Sequence, residues 1–235
     1  MSDTPWKVFV GYDSREDIAW QVCRHSIERH ASDRVKVHPL RQTTVRELGL
    51  YTRPVDAAAS TEFSLTRFLT PYLAASDGWA MFVDCDVLFT RPLDELFESL
   101  STDKAVHVVQ HDYVPVNAVK MDGKAQATYP RKNWSSMMVF NCAHPAVKAL
   151  TPAVVSSAEP AYLHRMNWVE DDQIGAVDLR WNFLEGEYPV PPETPAAIHF
   201  TNGGPWFEKW QNVDFADLWR AEEALYRADA GRVAA

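Results

Sequence analysis

The chain lacks a long hydrophobic run. No stretch of its 235 residues approaches the roughly 18 consecutive apolar positions of a membrane span, and a strand-like segment begins within a few residues of Met1 where a signal-type apolar region would otherwise stand. The expectation is a soluble, cytoplasmic protein, with a peripheral contact at a membrane surface still compatible. Cysteine is scarce as well. Cys23, Cys85 and Cys142 are odd in number, widely spaced and without a Cys-x-x-Cys pair. That spacing argues against a disulfide framework or a thiolate zinc site, and predicts buried free thiols in a reducing compartment. Positive charge is in deficit: 23 Lys and Arg stand against 32 Asp and Glu, a formal net charge of -9. The cations are scattered, so nucleic acid is not an expected partner. Repeats and low-complexity tracts are also missing. What is present is 46% hydrophobic content in a length that suits one large α/β domain with a full core.

The most informative stretch is Met81-Phe82-Val83-Asp84-Cys85-Asp86-Val87-Leu88-Phe89, an apolar run with two carboxylates one residue apart. In a strand, positions i and i+2 project to one side, so Asp84 and Asp86 are expected to reach one ligand while Cys85 points away. Unpaired carboxylates are costly to desolvate, and a hard divalent cation with oxygen ligands meets that cost. A strand end running into an Asp-rich turn would carry the same letters without a metal.

Around this stretch the pattern alternates strand and helix. Residues 7–13 read as a buried strand ending in a Gly turn, a helix follows with Ile18, Val22, Cys23 and Ile27 on its apolar face, and Val35 and Val37 mark a second strand. This is a βαβ unit, and ligands of such units sit beyond the carboxyl ends of the strands, at Gly11, Tyr12 and Asp13. Residues 61–75 carry Phe63, Phe68, Leu69, Tyr72 and Leu73 at helical spacing with Arg67 among them, and Pro71 must kink or divide that helix. A short helix is expected after Arg91, and strands at 105–110 and 135–141. The polar segment 112–133 is long for a passive connection and reads as a lid, an acceptor-side segment or disorder. Three acids in Trp168-Val169-Glu170-Asp171-Asp172-Gln173 suit a charged helix start. Beyond a Pro-rich stretch, Ala196 to Phe200 is a short strand, and Thr201-Asn202-Gly203-Gly204-Pro205-Trp206 a loop whose amides can cradle a phosphate. A final amphipathic helix carries Phe215, Leu218, Trp219, Leu225 and Tyr226.

In order and approximate spacing these segments resemble the glycogenin-like glycosyltransferases, family 8 of that class. The match lies in Val8 to Asp13, the Arg67 helix, the Asp84-Cys85-Asp86 motif, and Ile198-His199-Phe200-Thr201 followed by Gly204-Pro205-Trp206. The resemblance implies an α/β protein with one GT-A-type, Rossmann-like domain. Its mixed, mostly parallel central sheet would be flanked by helices. Residues 1–110 would form the nucleotide-binding half, 111–212 the acceptor and sugar half, and 213–235 the C-terminal helix. It implies a nucleotide-sugar donor, UDP-linked by preference, and a saccharide, lipid-linked or protein acceptor. Transfer would depend on manganese or magnesium and retain anomeric configuration. By the same resemblance Asp84, Asp86 and His199 would ligate the metal, and Val10, Gly11, Tyr12, Asp13 and Arg67 would hold the donor with Cys85, Gly203, Gly204 and Trp206. Asp171, Asp172 and Gln173 would lie beside the donor sugar as the catalytic group.

The chain also departs from that family. Trp134-Ser135-Ser136 stands where Asn-Ser-Gly is common, Asp172-Gln173-Ile174 replaces Asp-Gln-Asp, and Gly204 replaces the Lys ahead of Pro-Trp, with Lys209 as a candidate substitute. Two other functions share the acidic motif. A haloacid-dehalogenase-like phosphatase would use Asp84 and Asp86 with Asp171 and Asp172 around magnesium. A non-catalytic nucleotide-sugar binder would keep the metal site without turnover.

Overall fold

A computed structural model describes residues 5–56, 59–112 and 130–233. Most of the anticipated 112–133 lid or acceptor segment, residues 113–129, lies outside them.

The elements in chain order are β1 (Trp6–Gly11), α1 (Asp17–His30), β2 (Val35–Leu40), α2 (Gln42–Glu47), α3 (Thr70–Leu73), β3 (Trp79–Val83), β4 (Val87–Phe89) and α4 (Leu93–Glu98). There follow β5 (Val106–Val109), β6 (Met137–Asn141), α5 (Pro145–Lys148), α6 (Pro152–Ser157), α7 (Pro160–His164), β7 (Ile174–Val177), β8 (Phe183–Leu184), β9 (Ala197–His199) and α8 (Ala216–Val233). Six strands form one sheet in the order β2-β1-β3-β6-β5-β7, and a small second sheet has the order β4-β9-β8. In the large sheet only β6 runs against its neighbours. The result is the expected mixed, mostly parallel α/β sheet with flanking helices.

Near-continuous apolar runs mark strands covered on both faces. Val8, Val10, Met81, Phe82, Val83, Val106, Val108 and Met137 through Phe140 are all fully buried. The opening β1-α1-β2 unit matches its pattern, with Val22, Cys23 and Ile27 packed inward. The 61–75 segment does not form one helix. A 3-10 turn covers Thr66–Leu69 and α3 begins at Thr70, with Pro71 in its first turn where a missing N–H costs nothing.

The small sheet is fastened to α1. Ser26 donates its hydroxyl to the Cys23 carbonyl 2.8 Å away and accepts the Phe89 N–H at 3.1 Å, tying β4 to the helix. Leu88, Ile198, Phe200 and Trp219 join Val22 of α1 in a satellite core. The docking of α8 differs from its sequence pattern. Leu218 and Leu225 are 40% and 46% exposed, while Trp219 packs inward and the buried Glu222 receives His25 Nδ1 at 2.6 Å and Arg29 Nη2 at 2.6 Å from α1. An ion cluster thus takes the place of the leucine face. No helix among the described residues is long and apolar enough to cross a membrane.

Candidate metal and ligand site

Asp84, Cys85 and Asp86 do not lie on one strand. The chain leaves the large sheet at Val83 and joins the small one at Val87, so the three residues make a turn between two sheets. Strand alternation therefore does not explain why the carboxylates converge; two backbone bonds do. The Asp84 N–H donates to the Ser136 carbonyl at 2.9 Å, prolonging the β3-β6 ladder, and the Asp86 carbonyl accepts the Phe200 N–H at 2.9 Å, prolonging β4-β9. Each aspartate is thereby fixed to its own sheet, and the two face across the seam. His199 ends the middle strand of the small sheet, opposite Val87. Ligating atoms of Asp84, Asp86 and His199 all lie within 4.8 Å of one another. Cys85 is buried beside them, its thiol pushed well above the usual range by burial first and by the Glu16, Asp86 and Asp84 charges after it.

Two polar chains hold this cluster. On one side Arg67 Nη1 meets Asp84 Oδ1 at 2.9 Å and donates to the Ser135 carbonyl at 2.8 Å. The guanidinium is buried against the Phe63 and Phe82 rings, and Ser135 Oγ lies 2.9 Å from His164 Nδ1. Burial, and then the Arg67 charge, depress the His164 pKa to about 3. On the other side His199 Nε2 lies 3.3 Å from Asp86 Oδ1, and Nδ1 lies 3.0 Å from Asn182 Oδ1. With Nδ1 donating, the neutral ring presents a lone pair at Nε2, so two acceptors face each other. A cation or a proton between them reconciles that geometry.

Glu16, which motif reading missed, stands behind this site. It is 2% exposed and caps the backbone turn into α1 without a side-chain bond to it. Burial, then the charges of Asp86 and Asp13, raise its pKa to about 8, while Arg15 and the Trp206 indole pull it down by smaller amounts. Glu16 Oε2 and Trp206 Nε1 are both buried, and the indole acts on the Glu16 carboxyl only as a weak donor. The sequence signal was weak, a single acid at the start of an amphipathic helix.

The remaining expected residues divide. Asp13 is fully buried, with Oδ1 accepting from Arg15 N and Nε and Oδ2 from Arg15 Nη2 and the Glu62 N–H. Burial raises its pKa, but these hydrogen bonds outweigh that and lower it. Its carboxylate therefore organises the β1 turn. Val10 is in the core, and a side chain at Gly11 would come 2.5 Å from the Phe63 ring. Tyr12 is part-exposed, its OH on Asp17 Oδ1 at 2.9 Å and its ring under the Arg41 guanidinium. Beyond β1 and β2 opens a cavity of about 690 Å³ lined by Arg15, Gln42, Tyr51, Glu62, Ser64 and His164, among others.

The glycine loop is not the open cradle its sequence suggests. The Gly203 N–H donates to the Phe200 carbonyl at 2.9 Å, and at Gly204 a Cβ would fall 1.9 Å from the Trp206 ring. The indole fills the space where a longer residue at 204 would start, and itself packs on Phe200 and Trp219. Lys209 does not reach across; its Nζ sits 5.0 Å over the Trp210 ring.

Asp171, Asp172 and Gln173 are not brought to the cluster. They form a 3-10 turn leading into β7, not a helix start, and β7 runs in the direction of β3. Register places Ile174 level with Val106, Phe140 and Ala80. Asp84 therefore stands roughly 13 Å further along the strand direction and about 14 Å across three strand spacings. Asp171 is exposed and pairs with Arg131 Nη2 at 2.5 Å, and the Asp172 carbonyl accepts Lys104 Nζ at 3.0 Å.

Two carboxylates and an imidazole oriented through its other nitrogen are a donor set that fits a divalent cation, so Asp84, Asp86 and His199 could bind a metal ion. No protein-family model matches the chain. Among solved structures it is similar to the WbbM bifunctional glycosyltransferase, with a TM-score of 0.67 and 18% identity over 95% of this chain and 50% of that one. The glycosyltransferase GlyE of Streptococcus pneumoniae TIGR4 superposes with a TM-score of 0.60 and 15% identity over 94% of this chain and 60% of its own. The galactosyltransferase LgtC gives 0.59 and 11%, over 93% and 95%. The chain thus spans half to three-fifths of the first two, and these likenesses establish a GT-A-type fold. In sequence it is 48% identical over 229 residues, 96% of its length and 88% of the relative's, to Protein CDI of Arabidopsis thaliana, and it belongs to the family of that protein.

Proposed function

We propose that the chain is a metal-dependent glycosyltransferase of the glycogenin-like kind. It would move a sugar from a nucleoside-diphosphate donor, UDP-linked by preference, to a saccharide, lipid-linked or protein acceptor with retention of configuration. The observation that carries this reading is the convergence of Asp84, Asp86 and His199 within 4.8 Å at the seam of two sheets, beyond the carboxyl end of β3. LgtC, with which the fold is shared, is described as a galactosyltransferase in complex with donor and acceptor sugar analogs.

A divalent cation, manganese or magnesium, supplies Lewis acidity to the departing diphosphate when bound. The chain's own residues do the rest. Asp84 and Asp86 would offset the charge of such an ion, and Arg67 holds Asp84 in place from behind. His199 would add an imidazole ligand through Nε2. The cavity beyond β1 and β2 is of a size to receive the donor's nucleoside, with Asp13 fixing the turn and Arg15 on its wall. The retaining chemistry needs no strong nucleophile on the protein. Asp171, Asp172 and Gln173, in the positions described, are better suited to the acceptor side than to the metal. The same distance weakens the phosphatase reading, which needs Asp171 and Asp172 beside Asp84.

Incubating the purified protein with nucleotide sugars and manganese tests the proposal. Release of nucleoside diphosphate is expected. Phosphate release from simple phosphate esters would support the phosphatase instead, and neither product would leave a binder.

A further inference from the structure

We infer that Asn182 and Ser136 are positioning residues that lock His199 in the Nδ1-protonated tautomer, leaving Nε2 as the ligand atom. The inference rests on the metal-site reading above and adds Asn182, which no sequence motif singled out, and a role for Ser136 that the motif comparison did not suggest.

The argument is a chain of donors and acceptors with one consistent solution. Ser136 donates its hydroxyl proton to the Asn133 carbonyl at 2.7 Å. A hydroxyl has one proton, so toward Asn182 Nδ2, 2.8 Å away, Ser136 can only accept. This orients the amide with its NH₂ on Ser136 and its oxygen on His199. An amide oxygen only accepts, so the Nδ1 atom 3.0 Å from it must carry the proton. In the neutral ring Nε2 is then unprotonated, and it is the nitrogen that faces Asp86. Every member is enclosed: His199, Asn182 and Ser136 are 2%, 1% and 2% exposed, so water does not compete for the bonds.

The fold accounts for the precision. Asn133 holds a left-handed backbone at φ 63, a conformation Asn tolerates, and this turns its carbonyl onto Ser136. The Ser136 carbonyl meanwhile receives the Asp84 N–H. One residue thus sets the backbone of the first aspartate and, through Asn182, the ring of the histidine. Asn182 sits just before β8, whose Leu184 pairs with His199, so relay and ligand share one sheet.

The test reads the tautomer directly. Ring ¹⁵N spectra of the metal-free protein, with His199 assigned by its loss in His199→Gln, are expected to show a proton on Nδ1, alone in the neutral ring or together with one on Nε2 where a proton bridges to Asp86. Asn182→Leu should let the ring populate the Nε2-H form and lower manganese affinity, measured by calorimetry, about tenfold or more. Asn182→Asp keeps an acceptor on Nδ1 and should restore both the tautomer and most of the affinity, which a purely structural role would not do. Should Asn182→Leu fold poorly, Ser136→Ala takes its place, with a smaller shift in the same direction. An Nε2-H ring in the parent, or Asn182→Leu with unchanged tautomer and affinity, would overturn the inference. A parent that binds no manganese yet shows the Nδ1-H ring would overturn the metal reading while sustaining the relay.

Discussion

Arg67 Nη1 lies 2.9 Å from Asp84 Oδ1, and the two side chains are 6% and 14% exposed. So enclosed a guanidinium holds Asp84 and the Ser135 carbonyl and does not face an open donor pocket. Removing one member of a buried pair leaves the other uncompensated, at a cost of about 3 to 5 kcal/mol, and the slight exposure of Asp84 puts Arg67→Ala near the lower end. Urea denaturation of the metal-free protein checks this. A loss below about 1 kcal/mol would make the pair a surface-like contact of little weight.

Glu16 predicts a stability that declines toward alkaline pH. Its pKa is raised from 4.5 to about 8, so between those values the native state holds a proton that the unfolded chain has lost. The stabilisation from that proton is full below the lower value and is lost as pH rises through the upper one. Glu16→Gln removes the titration. In excess chelator the parent should therefore lose stability relative to the variant across this window, by at most about 1.4 kcal/mol per pH unit. Parallel pH profiles for the two proteins would contradict the assignment.

His107 makes the opposite prediction. Burial lowers its pKa from 6.5 to about 4, so the ring stays neutral in the fold while the unfolded chain takes up a proton. Stability present above 6.5 is lost as pH falls toward 4. The ring is wedged between Trp79 and Gly175, so a variant must not add bulk. His107→Leu should lose stability at neutral pH and regain ground on the parent as the solution is acidified. Denaturation midpoints that keep a constant separation between neutral pH and about pH 4.5 would exclude this.

These residues also show how far the sequence could be read. The sheet strands were legible because β1, β3, β5 and β6 are dominated by buried apolar residues, and the opening strand-helix-strand unit follows simple periodicity. Asp84, Asp86 and His199 were found as a set, though the mechanism of convergence was misjudged. The apolar residues on both sides of Asp84 and Asp86, from Met81 to Phe89, hide the point where the chain changes sheets, since both sheets need the same residue types. The relay through Asn182 was invisible because its bonds join residues 46 and 17 positions apart. Gly204 looked like a lost cation, whereas the Trp206 ring over it explains the glycine by space. The acids at Asp171 and Asp172 were assigned by motif order, and only the strand register separates them from the cluster.

The central proposal is that a cation held by Asp84, Asp86 and His199 would bind the donor's diphosphate. Calorimetric titration of uridine diphosphate into the protein, in manganese and again in excess chelator, tests it most directly. The account predicts binding in manganese and a loss of at least about tenfold in affinity in chelator, since a ligand bridging through the metal forfeits that contact. Equal affinity under both conditions would contradict it, whatever the turnover assay shows.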